Sequence, residues 1–82
     1  MAVPITVYRR EHCSLCEEAL ATIESVAEET GVAVDIEEVD VDADEALREK
    51  YGDHVPVVAV DGVEQFRIRV DPTVLVGLLR EA

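Results

Sequence analysis

The sequence predicts an α/β fold in the order β-α-β-α-β-β-α, with a mixed four-stranded sheet flanked by helices. Three observations carry the prediction. The apolar spacing changes from strand-like to helical just after Cys13, a second alternating segment follows that helix, and Asp61-Gly62 separates two later β-type runs. A strand, helix, strand unit joins parallel strands through a right-handed crossover, whereas a tight turn joins antiparallel ones, so the sheet is mixed.

Pro4 to Arg10 carries Ile5 and Val7 among other β-formers and reads as the first strand, with Pro4 at a tolerated leading position. From Cys13 to Thr30, the residues Cys16, Ala19, Leu20, Ile23, Val26 and Ala27 recur at the three-and-four spacing of one helical face. Gly31 stands where that helix should stop. Ala33 to Val41 alternates, with Val34, Ile36, Val39 and Val41 set among acids, and reads as a strand with one broken step between Ile36 and Val39.

Asp42 with Glu45 three positions later resembles a capping box, Leu47 and Tyr51 share a face, and Gly52 ends a short helix. Val55 to Val60 is a continuous apolar run suited to a strand buried on both faces. Asp61-Gly62 is a hairpin signal, and the partner strand runs from about Glu64 to Val70. Asp71 caps a last helix with Pro72 in its first turn, and Val74, Leu75, Leu78 and Leu79 form its inward face. Gly77 weakens this helix by about 1 kcal/mol relative to alanine.

Eighty-two residues support one core, since a chain of this size buries roughly 60 to 65% of its unfolded surface, and a single domain over residues 1–82 is expected. No stretch approaches the roughly 18 apolar residues of a membrane-spanning helix. The apolar run at Met1 to Val7 has no basic region before it and no small-residue cleavage site after it, so the expected location is the cytoplasm. Nineteen Asp and Glu against seven Lys and Arg give a net charge of -12, which repels phosphate backbones and anionic membranes. Neither nucleic acid nor membrane is an expected partner. Lys50 is the only lysine, and the acid-rich, Ala- and Val-rich composition resembles that of halophilic proteins, where molar salt screens self-repulsion within about 3 Å. An acidic protein of an ordinary cytosol that docks on a basic partner has the same composition.

The chemistry lies in His12-Cys13-Ser14-Leu15-Cys16, at the junction of the first strand and first helix. Unpaired amides and the positive end of the helix dipole favour an anion there, so they stabilise the Cys13 thiolate. Cys16 is about one turn further on, within reach of Cys13, with its side chain directed inward. The pair suits a nucleophile and a resolving thiol. Arg9 and Arg10 are candidates for lowering the Cys13 pKa or holding an anionic group, and solvated strand-end arginines are the plainer reading. Protonated His12 would support the thiolate, and Glu11, Glu17 and Glu18 would oppose it.

Three other readings of the cysteines stand beside this one. A zinc site has only Cys13, Cys16, His12 and His54 to draw on, and adjacent His12 and Cys13 would have difficulty pointing at the same ion. An iron-sulfur cluster wants four thiolates, hence two chains. Buried structural cysteines suit Cys16 better than Cys13 at the polar entrance.

With these residues placed, the chain resembles the thioredoxin superfamily, and most closely its compact glutaredoxin-like proteins. The segment from Thr6 to Cys16 is similar to the glutaredoxin first strand and active-site turn. The resemblance implies a thioredoxin-like fold, a nucleophilic Cys13, a resolving Cys16, and a basic residue near the substrate thiol at Arg10. It also implies a cis peptide bond at Val55-Pro56, with the Val55 backbone free to pair with a substrate's backbone. Ser14-Leu15 replaces the proline-tyrosine of glutaredoxins and the glycine-proline of thioredoxins. The glycine pair before the last glutaredoxin helix is absent, and only Asp71 stands near the acidic position that follows it. The redox potential and the glutathione site therefore lie outside what the resemblance implies.

The expectation is a monomeric thiol-disulfide oxidoreductase that reduces protein or low-molecular-weight disulfides through Cys13 and Cys16. It needs no resident metal or cofactor. Glutathione or another low-molecular-weight thiol is the candidate co-substrate, and Arg10, His12, Val55, Pro56 and Asp71 are the candidate substrate-binding residues. The alternative is a non-catalytic module of the same fold that holds a protein or a metal at the Val55-Pro56 edge.

Overall fold

Strand β1 (Val3–Arg9) pairs on both sides. It runs parallel to β2 (Val34–Asp40), from Val3 opposite Val34 to Arg9 opposite Asp40, and antiparallel to β3 (Val57–Val60), from Ile5 opposite Val60 to Tyr8 opposite Val57. With β4 (Val63–Arg67) the sheet order is β2-β1-β3-β4, the mixed four-stranded sheet expected from the sequence. The computed structural model describes residues 2–82. Pro4 lies in β1 just before the ladder with β3 begins, where its missing amide is least costly.

Alternation along the two central strands divides the interior. Ile5 and Val7 of β1 with Val58 and Val60 of β3 face helices α1 (Ser14–Thr30) and α3 (Pro72–Glu81), meeting Ile23 and Leu75. Each of these buried side chains stabilises the fold by roughly 1.5 to 3 kcal/mol relative to exposure. On the opposite face Tyr8 and Val57 meet Val41, Leu47, Tyr51 and Val55 in a smaller cluster under α2 (Glu45–Tyr51). The four residues of β3 are all buried, as the continuous apolar run predicts.

Turn chemistry closes the hairpin. Asp61 and Gly62 have φ of 53° and 83°, the pair of positive values of a two-residue type I′ turn. In β4, Val58 faces Phe66 while Ala59 faces Glu64, so Gln65 is a bulged residue. Asp71 caps α3, its Oδ1 accepting from the amides of Thr73 and Val74 at 2.9 and 3.4 Å.

Beyond one-residue shifts at the ends of β1 and β2, four boundaries differ from the sequence expectation. Asp44, not Asp42, caps α2, its Oδ1 accepting from Ala46 and Leu47 at 2.8 and 3.3 Å. Burial of Val41 places a 3₁₀ turn, Val41–Ala43, ahead of the helix, and that turn is capped by Asp40 through the Asp42 amide at 2.9 Å. Cys13 is the cap of α1 rather than its first residue. Strand β3 begins at Val57, and β4 ends at Arg67 because Ile68 turns the chain with φ of 70°. A β-branched residue in that region costs on the order of 1 to 3 kcal/mol. The Val55-Pro56 bond is cis, as the resemblance implies.

Two glycines give opposite expectations. A Cβ on Gly52 would overlap the Arg48 carbonyl oxygen, whereas one on Gly77 meets nothing within 4 Å. Gly52→Ala is expected to destabilise by about 1 to 3 kcal/mol and Gly77→Ala to stabilise by about 0.5 to 1 kcal/mol, both read from urea unfolding midpoints. With a net charge of -12, the melting temperature should rise as salt increases from about 0.01 M to about 1 M, because screening shortens from about 30 Å to about 3 Å. A flat or falling profile would show that self-repulsion does not govern stability.

Candidate active site

The C-terminal end of β1 delivers the chain into a short loop, Arg10 to Cys13, and then into α1. His12 in that loop is exposed, with φ of 54°, a region in which histidine is enriched. Cys13 follows as the N-cap, with extended backbone and a partly exposed side chain. The first intrahelical bond runs from the Glu17 amide to the Cys13 carbonyl at 3.2 Å, so the amides of Ser14, Leu15 and Cys16 precede the helical ladder. Of these, the Cys16 amide donates to Cys13 Sγ at 3.2 Å. A sulfur in this position sits at the positive end of a 17-residue helix, and the helix field favours its anionic form.

Cys16 lies on the inward face of α1 and is fully buried, in series with Ala19, Ile23 and Val26. The two cysteines are joined as a disulfide with Cα atoms 5.2 Å apart, inside the usual range for such a bond. One sulfur is accessible and the other is withheld.

The arginines next to the cysteines are engaged. Arg9 reaches Glu17 at 2.7 Å and Glu38 at 2.9 Å, tying the first turn of α1 to β2. These hydrogen bonds, Glu17 first and Glu38 second, push the Arg9 guanidinium above its ordinary pKa and keep it charged. Arg10 donates through Nε to Asp42 at 3.0 Å and through Nη1 to the Gly52 carbonyl at 3.3 Å, and the Asp42 bond likewise raises its pKa. Among the sequence-selected residues, Arg10 thus points to the α2 side of the molecule, and Asp71 is occupied as a helix cap.

Because β3 runs antiparallel to β1, Val55 and Pro56 arrive at the same end of the sheet as the cysteine loop. Neither the amide nor the carbonyl of Val55 has a backbone partner among the described residues. The Pro56 carbonyl accepts from the Ile68 amide at 2.7 Å, linking this loop to the β4–α3 connection.

Sequence reasoning missed the partners of the arginines and the role of Ile68 in this neighbourhood. One signal was present. In the register of β1 with β2, Val7 lies opposite Glu38, so the broken step between Ile36 and Val39 puts Glu38 on the α1 face, where Arg9 also points.

Residues 4–80 match the family described as Glutaredoxin-like domain (DUF836). A relative from Methanothermobacter thermautotrophicus named "Probable Thioredoxin" is 31% identical over 67 residues, which cover 80% of this chain and 79% of that protein. A Nitrosomonas europaea protein with a solution structure superposes with a TM-score of 0.80 at 28% identity, over 96% of this chain and 93% of that one. An X. campestris protein with an X-ray structure gives 0.77 at 28% identity, over 95% and 97% of the two chains. A partly exposed cysteine capping the helix that follows the first strand, a buried partner one turn deeper and a cis proline at the same end of the sheet accompany that match: the chain belongs to the glutaredoxin-like family of the thioredoxin superfamily.

Proposed function

We propose that the protein is a thiol-disulfide oxidoreductase that reduces protein or low-molecular-weight disulfides, with Cys13 as nucleophile and Cys16 as resolving thiol. The observation that carries this reading is the asymmetry of the pair: a partly exposed sulfur at the helix N-terminus and a fully buried one behind it. The family and the thioredoxin-named relative support the same class of chemistry.

In the reduced protein the Cys13 thiolate attacks one sulfur of the substrate disulfide. That S–S bond breaks, the other substrate sulfur leaves as a thiolate, and the attacked sulfur is left in a Cys13–substrate disulfide. Cys16 then attacks Cys13 Sγ and displaces the second substrate sulfur. Two electrons have passed to the substrate, its sulfurs take up the two protons released by the dithiol, and the Cys13–Cys16 disulfide remains. A dithiol protein or a low-molecular-weight thiol in the cytoplasm restores the reduced form. The unpaired amide and carbonyl of Val55 offer an extended substrate two backbone hydrogen bonds during attack. His12, exposed beside Cys13, is the group closest in sequence for moving a proton at the leaving sulfur.

Trapping tests the assignment. Cys16→Ser should accumulate mixed disulfides with substrate, and Cys13→Ser should accumulate none and lose essentially all reductase activity. Equal trapping by the two variants would refute the division of roles. In the reduced protein, the rate of Cys13 alkylation against pH should give a midpoint below about 7.5, against about 8.5 for a free cysteine. An unshifted midpoint together with no disulfide reduction would favour a binding module.

A further inference from the structure

Ile68 is the least explained residue at this end of the molecule. Its φ is 70°, its amide is held by the Pro56 carbonyl, and the Arg69 amide donates to the Arg67 carbonyl at 2.7 Å, closing a three-residue turn around it. Glycine would adopt this backbone without strain. Packing does not account for the side chain either, because it is 42% exposed, one of the few large apolar side chains on the surface. A strained backbone that displays an apolar group to solvent is a reason to look for a ligand contact.

The surroundings indicate which contact. Ile68 lines a cavity of about 410 Å³ together with Leu15, Ala19, Thr22 and Val70, and Leu15 lies between the two cysteines. Glu18 and Arg69 stand at the same cavity with opposite charges and make no ion pair among the described residues. They leave two opposite charges open beside the apolar lining of the cavity. A small thiol such as glutathione carries no aliphatic side chain beside its sulfur, so it would leave the apolar lining of Ile68 and Leu15 unfilled. Three charged residues at this end of the molecule are already engaged: Arg9 by Glu17 and Glu38, Arg10 by Asp42, and Asp71 by the amides it caps. Beside Glu18 and Arg69, what stays open among the described residues is a pair of backbone groups at Val55 and an apolar seat beside Leu15. An extended polypeptide uses both.

We propose that Ile68 determines substrate specificity: with Leu15 it seats an apolar side chain adjacent to the half-cystine of a polypeptide disulfide, selecting such substrates over glutathione disulfide. The assignment rests on the oxidoreductase reading above and narrows it from disulfides in general to those of polypeptides.

The test compares kcat/KM of wild type, Ile68→Gly and Ile68→Asn, two replacements compatible with the turn. The substrates are a short peptide disulfide with leucine next to each half-cystine, the same peptide with serine in place of leucine, and glutathione disulfide. Wild type is expected to favour the leucine peptide over the serine peptide by about tenfold, the order of a buried aliphatic contact, and over glutathione disulfide by more. In both variants the leucine preference should fall at least about threefold, while the Cys13 alkylation profile stays unchanged and the melting temperature of Ile68→Gly stays the same or rises. An unchanged preference in both variants, or a wild type that favours glutathione disulfide, would overturn the assignment and leave the oxidoreductase reading intact. If wild type reduces none of the three, the oxidoreductase reading itself fails, and this assignment with it.

Discussion

Pairing of β1 on both of its sides is the constraint on which the site depends. The parallel ladder with β2 and the antiparallel ladder with β3 leave β1 no freedom of register, since a one-residue slip would exchange Ile5 and Val7 for Thr6 and Tyr8 in the main core. Three things are thereby fixed at one end of the sheet: where the cysteine loop begins, where α1 starts, and where the Val55-Pro56 loop enters. Arg9, the last residue of β1, extends the same constraint to the helix by holding Glu17 in its first turn. Ion pairs with one well-exposed partner contribute only about 0.2 to 1 kcal/mol each, and both glutamates here are more than half exposed. The value of the Arg9 contacts is therefore geometric and electrostatic rather than a large term in stability.

That electrostatic part bears on Cys13, the proposed nucleophile. Glu17 is four residues after Cys13, on the helix whose field is to stabilise a thiolate, and an unpaired carboxylate there opposes that field. Pairing with Arg9 sets a positive charge against it within 2.7 Å. In a protein with nineteen acids, two of the seven basic residues stand at the strand end and loop before the cysteines, each against at least one carboxylate. The net charge of the whole molecule is a poor guide to the field at one sulfur.

Features set by short-range chemistry were legible in the sequence. The three-and-four spacing of α1, the Asp61-Gly62 turn, the Asp71 cap with Pro72 behind it and the order of elements all appear where the residues predict them. The cysteine pair was legible because a loop between strand and helix gives it a helix N-terminus as a neighbour. What escaped needed tertiary information. Asp40, Asp42 and Asp44 are equally good caps two residues apart, and burial of Val41 decides among them. The strand after the hairpin is expected to run to about Val70, yet the positive φ of Ile68 ends it at Arg67. The clamp on Arg9 joins residues 29 apart in the chain, and only the register of β1 with β2 brings them together.

The smaller core explains how an open backbone pair can persist at Val55. An extended edge with unpaired groups binds well only if its conformation is set before the partner arrives, because ordering it at the moment of binding costs conformational entropy. Tyr8 and Tyr51 pack with ring centroids 4.6 Å apart at a 33° tilt, and Val55 lies against the cluster they form with Val41, Val57 and Leu47. Aromatic pairs of this kind add about 0.5 to 1.5 kcal/mol beyond the area they bury. On the far side of Pro56 the Ile68 amide holds the next carbonyl. Val55 is consequently anchored through its side chain on one flank and through its neighbour's carbonyl on the other, while its own amide and carbonyl have no partner among the described residues. The cluster under α2 thus holds the Val55 segment in a set conformation, which is what the proposed pairing with a substrate backbone requires.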